Sequence, residues 1–387
     1  MKEMIIFISA STVGYGADFS MISAINEIKK NHECLVILPG KGRSTDLLEK
    51  NNIYYVCIPF KQWIHYDTSF VGEYIKPIAK FFINIYSCFK ALSYFKKNNI
   101  KPILIYSNSF TNYFSIFLSR LTKTPYIQHI REFGKEDFDW HFDIGFERTC
   151  ALVNKYASRV IAISDSVLNT YKAYFDSKLI RVYNGVPIPN QVDSESESEL
   201  ENDKTKIVMT GRLSFEKGQA VLIDAINLLV QEQMKSNISV DLFGDGPDLE
   251  MLKEKVRKYS LENIINFCGY QSNVSLASYD VGVICSTSEG FGRVTVEYMA
   301  AKLPVIGANG GATPEIIIEN ETGYLFPIGD SKELANKLKQ VINNKDKAKQ
   351  LGLNGYERFI NHFSQDVYVT KVKNVCEEVL TKGAVLR

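Results

Sequence analysis

The sequence predicts an α/β protein made of two Rossmann-like domains whose parallel sheets face each other across a cleft. Three observations lead there. Short β-rich runs alternate with helix-length segments along the whole chain. The runs are apolar throughout rather than alternating. An acidic, Ser-rich stretch, Gln191–Lys204, separates two similar halves. Continuously apolar strands belong to parallel sheets covered on both faces. A stretch dense in charge and poor in apolar residues has the composition of a solvated linker. At 387 residues the chain is also too long for one ordinary domain.

The strands expected in the first half are Met4–Ser9, Cys34–Leu38, Ile53–Ile58, Ile103–Tyr106, Tyr126–His129 and Val160–Ile163. Those in the second are Ile207–Thr210, Val240–Phe243, Ile264–Phe267, Val281–Cys285 and Val305–Ile306. The expected division is an N-terminal domain over 1–188, the acidic linker over 189–205 and a second domain over 206–363. A C-terminal helix over 364–387 is expected to pack back across the cleft. Ligands of such sheets bind beyond the carboxyl ends of the strands.

Composition narrows the class. Hydrophobic residues make up 45% and charged residues 23%, so a substantial core can form. No apolar run is long enough to cross a bilayer, and the N-terminal MKEMIIFISAST reads as a first strand rather than a signal peptide. The seven cysteines form no CxxC pair and sit mostly in apolar runs, as in a reducing compartment. The five histidines are scattered, and no metal site is expected. The net charge of +1 hides an asymmetry. Residues 1–188 carry 23 basic and 16 acidic residues, which leaves 22 and 28 for the remainder. The basic half suits an anionic partner.

Three loops carry the chemistry. After the first strand, Gly14 and Gly16 stand at a strand-to-helix turn, where backbone can approach an anion; the competing reading is a plain tight turn. After Ile207–Thr210, Gly211 ends the strand, and Arg212 and Lys217 flank its carboxyl end. A guanidinium fork and an ammonium together suit a diphosphate; the competing reading is two surface cations. After Val281–Cys285, glycines aim the backbone N–H groups of Gly292, Arg293, Val294 and Thr295 at an anion. Glu289 precedes that helix and Glu297 lies about one turn into it.

Glu289 and Glu297, with seven residues between them, match the E-x7-E motif of retaining glycosyltransferases of the GT-B fold. GRLSFEKG, FGDGP, FCGY, SEGFGRVTVEYMAA, LPVIG, GGATPEII and TGYLF follow in the order seen in glycosyltransferase family 4. The second half thus resembles that family closely, the first half less so. The resemblance implies a retaining transfer from a nucleotide-diphosphate sugar, UDP favoured over GDP, to a glycan or lipid-linked glycan in surface polysaccharide assembly. It implies that Arg212 and Lys217 bind the diphosphate and that Glu289 holds sugar hydroxyls. Glu297 would hold the ribose. The backbone from Phe291 to Thr295 would contact sugar and phosphate, and the base would pack at Gly269 and Tyr270. His129 matches a histidine that touches the donor sugar. Where the family often has His-Asp, this chain has His129-Ile130-Arg131-Glu132.

The resemblance also implies no cofactor and no metal. One DxD occurs, Asp137-Phe138-Asp139, in a loop unlike the manganese-binding class. A sugar-nucleotide epimerase of the same architecture and a non-catalytic nucleotide-sugar scaffold remain alternatives. The place of work expected is the cytoplasm, with a peripheral station on the inner face of the cell membrane, and no nucleic acid. The membrane partner rests on Pro77–Lys97, whose Ile78, Phe81, Phe82, Ile85, Phe89, Leu92 and Phe95 recur at helical spacing among lysines. The favoured reading of that stripe is a crossover helix packed on the sheet. Trp63, Tyr66 and Phe70 just before it keep the membrane surface in view.

Overall fold

The structure is a computed structural model that describes residues 1–14, 16–66, 69, 72, 75–134, 140–189, 204–234, 238–271 and 273–385. The chain divides into two units, Met1–Gly185 with Asp366–Arg387, and Val186–Gln365. Most of the acidic stretch, 190–203, lies outside the described residues.

The first unit runs β1 (Lys2–Ile8), α1 (Gly16–Ile28), β2 (Glu33–Leu38), α2 (Arg43–Lys50), β3 (Tyr55–Cys57), β4 (Ile64–His65) and α3 (Lys76–Lys97). It continues with β5 (Ile100–Ser107), α4 (Phe114–Thr122), β6 (Tyr126–Ile130), β7 (His141–Phe142), α5 (Phe146–Tyr156), β8 (Arg159–Ala162), α6 (Asp165–Tyr171) and β9 (Leu179–Arg181). Among the described residues seven of these strands form one sheet in the order β3-β2-β1-β5-β6-β8-β9. Every pairing in it is parallel, with Ile6 beside Leu35 on one side and Ile105 on the other. β4 and β7 form a separate antiparallel pair.

The second unit runs β10 (Thr205–Thr210), α7 (Gln219–Gln231), β11 (Ile238–Phe243), α8 (Leu249–Lys258), β12 (Ile265–Gly269), β13 (Val281–Ile284) and α9 (Arg293–Ala300). After these come β14 (Val305–Ala308), α10 (Thr313–Ile316), β15 (Gly323–Phe326), α11 (Ser331–Asn343) and α12 (Lys345–His362). Its sheet is parallel in the order β12-β11-β10-β13-β14-β15. The strand order reverses between β1 and β5 in one unit and between β10 and β13 in the other. At such switch points the crossover helices diverge to opposite faces and leave a crevice at the strands' carboxyl ends.

The last helix, α13 (Gln365–Val385), belongs almost wholly to the first unit. Its Tyr368, Val372, Val375, Cys376 and Val379 recur every three or four residues, which puts them on one stripe. That stripe is buried in the first unit's core with Ile22 and Ile25 of α1 and with Phe7, Val36 and Tyr106 of the sheet. Ion pairs rim it: His32–Glu377 at 2.8 Å, Lys373–Glu27 at 3.2 Å and Arg159–Glu378.

α3 overturns the packed reading for much of its stripe, although Phe95 at the far end is buried and Ile85 and Leu92 are half-buried. The residues it buries are Asn84, Ser87, Cys88, Ala91 and Phe95. Ile78, Phe82 and Phe89 are 61%, 65% and 58% exposed. The cause is polar. Asn84 accepts from the Lys61 N–H and donates to the Lys61 carbonyl, and Ser87 donates to the Pro59 carbonyl. The 59–61 chain thus takes the helix's small, hydrogen-bonding side, and the aromatic side turns outward.

The α13 stripe sets a stability test. Val372 is fully buried, so Val372→Asp places an unpaired charge in the core. We expect a loss of about 4 kcal/mol or more in urea unfolding of the first unit. An unchanged midpoint would mean that α13 is not part of that core.

Candidate functional site

The site in the second unit is built by loops from four strand ends, and glycines let them close up. Gly211 follows β10, and its N–H donates to the Phe243 carbonyl at the end of β11 (2.9 Å). Gly244 holds a φ of +142°. A Cβ there would stand 1.8 Å from the Gly211 carbonyl oxygen. Gly218 takes a left-handed φ of +71° between a short 3-10 turn, Phe215–Lys217, and α7. A side chain at that position would strike the Cys285 carbonyl at 2.4 Å. Across the next gap the Thr287 N–H donates to the Glu216 carbonyl (2.9 Å), and the Ala312 N–H after β14 donates to the Glu289 carbonyl (2.8 Å).

These contacts carry Lys217 and Glu289, 72 residues apart, to one spot. Lys217 Nζ lies 2.6 Å from Glu289 Oε1. Both line a pocket of about 180 Å³ with Thr210, Gly211, Ser286, Arg293 and Val294. The pocket opens where β10 and β13 part, at the switch point. Gly292, with φ +80°, opens α9 beside it. The first-turn N–H groups of a helix have no partner within the helix, so this end carries partial positive charge. A larger hollow of about 440 Å³ is lined by Lys29, His32, Glu33 and Tyr54. It sits at the amino end of β2, the wrong end of a parallel sheet for this type of site.

The other residues singled out in this half are distributed around the pocket. Arg212 is exposed, with its carbonyl accepting from Gln219 Nε2 (2.9 Å). Glu297 is engaged by Arg293 Nε at 2.8 Å, one helical turn back. Gly269 has φ +67°, and its carbonyl accepts from the Gly244 N–H; Tyr270 next to it is 69% exposed. Phe291 is buried, edge-on to Phe363 at 6.1 Å. Thr295 is fully buried, and its Oγ1 has no hydrogen-bond partner among the described residues. Sequence reasoning missed Tyr298. Its hydroxyl accepts from the Thr210 N–H (2.8 Å) and contacts Thr210 Oγ1 (3.2 Å), tying α9 to the end of β10. Gly282 makes room for it: a Cβ there would meet the Tyr298 ring at 2.2 Å.

In the first unit the glycine turn serves the protein's own carboxylate. The Gly14 N–H donates to Asp18 Oδ2 (3.2 Å) and faces Ser44 Oγ (3.0 Å), and Ser9 and Ser44 also donate to Asp18. Asp18 is buried in the first turn of α1, the helix that Gly16 opens. Asp137 and Asp139 lie outside the described residues.

His129, in β6, is fully buried. Its Nδ1 lies 2.6 Å from the Tyr106 hydroxyl and 3.3 Å from Arg131 Nη2. Arg131 can only donate, so Nδ1 is the acceptor and the ring proton sits on Nε2. Nε2 itself has no hydrogen-bond partner among the described residues. Burial, and then the Arg131 charge, holds the ring well below the usual imidazole range. Arg131 is spread over Asn108 Oδ1 (3.0 Å), Asn184 Oδ1 (2.6 Å) and the Tyr368 hydroxyl of α13 (3.2 Å). Glu132 turns to the neighbouring loop, accepting from Ser109 Oγ (2.7 Å) and the Arg131 N–H (2.9 Å). Sequence reading gave Arg131 no role, yet here it holds four side-chain partners.

A folded-state imidazole that refuses a proton makes stability depend on acid. Below about pH 6.5 the unfolded ring takes a proton that the folded ring does not. Folding stability is therefore present above that pH and falls as pH drops, by about 1.4 kcal/mol per pH unit for this one group. His129→Gln should flatten the slope between about pH 6.5 and 5, measured by denaturant unfolding. Equal slopes in both proteins would contradict a neutral His129.

The family model described as glycosyl transferases group 1 matches residues 191–358. An uncharacterized glycosyltransferase of Methanocaldococcus jannaschii is 31% identical over 233 residues, 58% of this chain and 62% of that protein's length. An alpha-1,4-N-acetyl-D-galactosaminyltransferase of Campylobacter jejuni is 26% identical over 381 residues, 95% of this chain and 98% of its own. Its name specifies a diNAcBac-PP-undecaprenol-linked glycan. Among solved structures, HepE of Anabaena in complex with UDP superposes with a TM-score of 0.77 at 22% identity, covering 98% of this chain and 100% of that one. At that identity the likeness carries the fold: α/β, with two parallel sheets, as in glycosyltransferases of the GT-B type. Through residues 191–358, the segment that carries the pocket, the chain matches the family of glycosyl transferases group 1.

Proposed function

We propose that the protein is a retaining glycosyltransferase. In this reading it moves a sugar from a nucleotide-diphosphate donor, a UDP-sugar by preference, to a glycan or lipid-linked glycan. The observation that carries the reading is the Lys217–Glu289 pair at 2.6 Å in the switch-point pocket, beside the amino end of α9. A cation and a carboxylate that neutralise each other without ligand are suited to part over a donor that needs both. The diphosphate takes Lys217, and the sugar hydroxyls take Glu289. Arg212 reaches the same phosphates from the rim, and Glu297 exchanges Arg293 for the ribose hydroxyls. The base lies against Tyr270.

The leaving diphosphate gains charge as the sugar–oxygen bond breaks. Lys217, Arg212 and the amino end of α9 stabilise that charge, so the transfer proceeds without a metal ion. A double-displacement route needs a carboxylate nucleophile beneath the anomeric carbon. Glu289, engaged with sugar hydroxyls, does not fill that post. The acceptor oxygen then enters on the face from which the diphosphate leaves, and a departing phosphate oxygen takes its proton. His129, buried and neutral with its proton on Nε2, is not set to act as a base. The acceptor class draws on the Campylobacter relative, which by its name acts on a PP-undecaprenol-linked glycan. The work is placed in the cytoplasm, with the inner face of the membrane as the place where such an acceptor is met.

Two measurements test this. With a chelator present throughout, the wild type should turn over fully and Lys217→Ala should lose about 10² to 10³ in kcat. A variant within a few-fold of wild type, or donor consumed with no acceptor glycosylated, would remove the assignment. Proton NMR of the first-formed product from an α-linked donor should show an α linkage. A β linkage would overturn front-face attack and the retaining class together.

A further inference from the structure

We propose that the outward face of α3 is a docking surface for an anionic lipid bilayer, with the helix lying flat on the headgroups. Ile75, Ile78, Phe82, Tyr86 and Phe89 are all exposed. Their spacing of three, four, four and three residues sets them on one face, the width of a helical stripe. Phe81 and Ile83 flank it and are 44% and 37% exposed. Solvent normally meets apolar side chains singly, and a contiguous patch of this kind marks an interaction surface.

Charge decides the occupant. From Lys76 to Lys97 the helix carries no acidic residue and five lysines; Lys80 is paired with Asp143, and the other four are exposed. Lys90 Nζ lies 4.8 Å from the centre of the Tyr86 ring, so the basic and aromatic groups share a border. A second copy seated on this face would bring like charge against like. An anionic headgroup layer meets both properties at once: aromatic rings enter the boundary region, and lysine stems run along it with their ammonium groups in the phosphate layer. The 22-residue helix is not long and apolar enough to cross a membrane, which fits a surface posture. The β4–β7 pair holds the amino end of this helix. Lys80 Nζ donates to the Ile64 carbonyl and to Asp143 Oδ1, both at 2.9 Å, and so fixes the start of α3 against that pair. There Tyr66 is 65% exposed and accepts from Trp140 Nε1 (2.9 Å).

This surface goes beyond the transfer reading and stands without it, because no residue of the pocket takes part. The test is sedimentation of the full chain with vesicles in the absence of any nucleotide sugar. Phosphatidylglycerol-containing vesicles should carry the protein down at low salt and release it as salt rises, and pure phosphatidylcholine should bind it about tenfold less. The pair Phe82→Ser with Phe89→Ser should lower binding by about tenfold or more, and so should Ile78→Ser with Tyr86→Ser. All four positions are exposed, so melting temperature and any melting shift with UDP should stay at wild-type values. Loss of the UDP shift in the wild type with vesicle binding intact would count against the transferase and leave this surface standing. Equal binding to both vesicle types, binding undiminished in both variants, or no vesicle binding at all would overturn it. A concentration-dependent dimer abolished by the Phe82 and Phe89 substitutions would do the same by naming a second copy as the occupant.

Discussion

The oxygen of the Gly211 carbonyl stands where a side chain on residue 244 would have to be. A side chain on residue 244 would force the two strand-end loops apart, whereas one on residue 211 would meet nothing within 4 Å. With glycine at 244, the β10 and β11 loops share backbone hydrogen bonds, and the Phe215–Lys217 turn is held against β13 by Gly218. Lys217 reaches Glu289 because of this stacking of loops. The chemistry is therefore set by backbone proximity first and by side-chain charge second. The two charged residues could be kept and the site still lost if Gly218 or Gly244 gained a Cβ.

The same logic explains what could be read in advance. Eleven of the thirteen strands in the two sheets coincide with the apolar runs marked in the sequence, because burial between layers is written in composition. β9, the three residues Leu179–Arg181, and β15, which opens on Gly323, are too short or too mixed to stand out from the loops around them. β4 and β7 have two residues each. The pocket residues were legible as motifs because turn geometry demands glycine at fixed offsets from the charged groups. Tyr298 and Arg131 were not, since what each does depends on partners far away in sequence. For Arg131 these are Asn108, Asn184 and Tyr368, gathered by three different elements.

Both acids of the E-x7-E pair are held by cations: Glu289 by Lys217 and Glu297 by Arg293. Each partner is about a third exposed at most, so the pairs are bridges at a rim and are screened by water. Weak pairing suits groups that must exchange partners, because a tight, dry ion pair would oppose the ligand by the full cost of separating it. His129 is the opposite case. Its tautomer is fixed by two donors inside a dry core, and the cation that helps fix it, Arg131, is itself tied at three further points. One site is poised to rearrange and the other is built not to.

α3 shows why helical periodicity alone does not say which face looks inward. Its seven-residue apolar stripe has the spacing of a core-facing helix, and by area alone burying it would be favoured. Over most of the helix the opposite face is turned inward, and there Asn84 and Ser87 satisfy the backbone of Pro59 and Lys61. Each such bond contributes about 0.5–1.5 kcal/mol net. Three such bonds weigh against burying two or three rings that keep part of their contacts where they are. Phe81, for instance, still meets Phe117 edge-on at 5.5 Å. Turning the aromatic side outward is therefore tolerable within the fold. A helix face without an acidic residue of its own, bordered by lysine and lined with phenylalanine, is then left available, and an anionic bilayer is the environment in which that exposure becomes favourable.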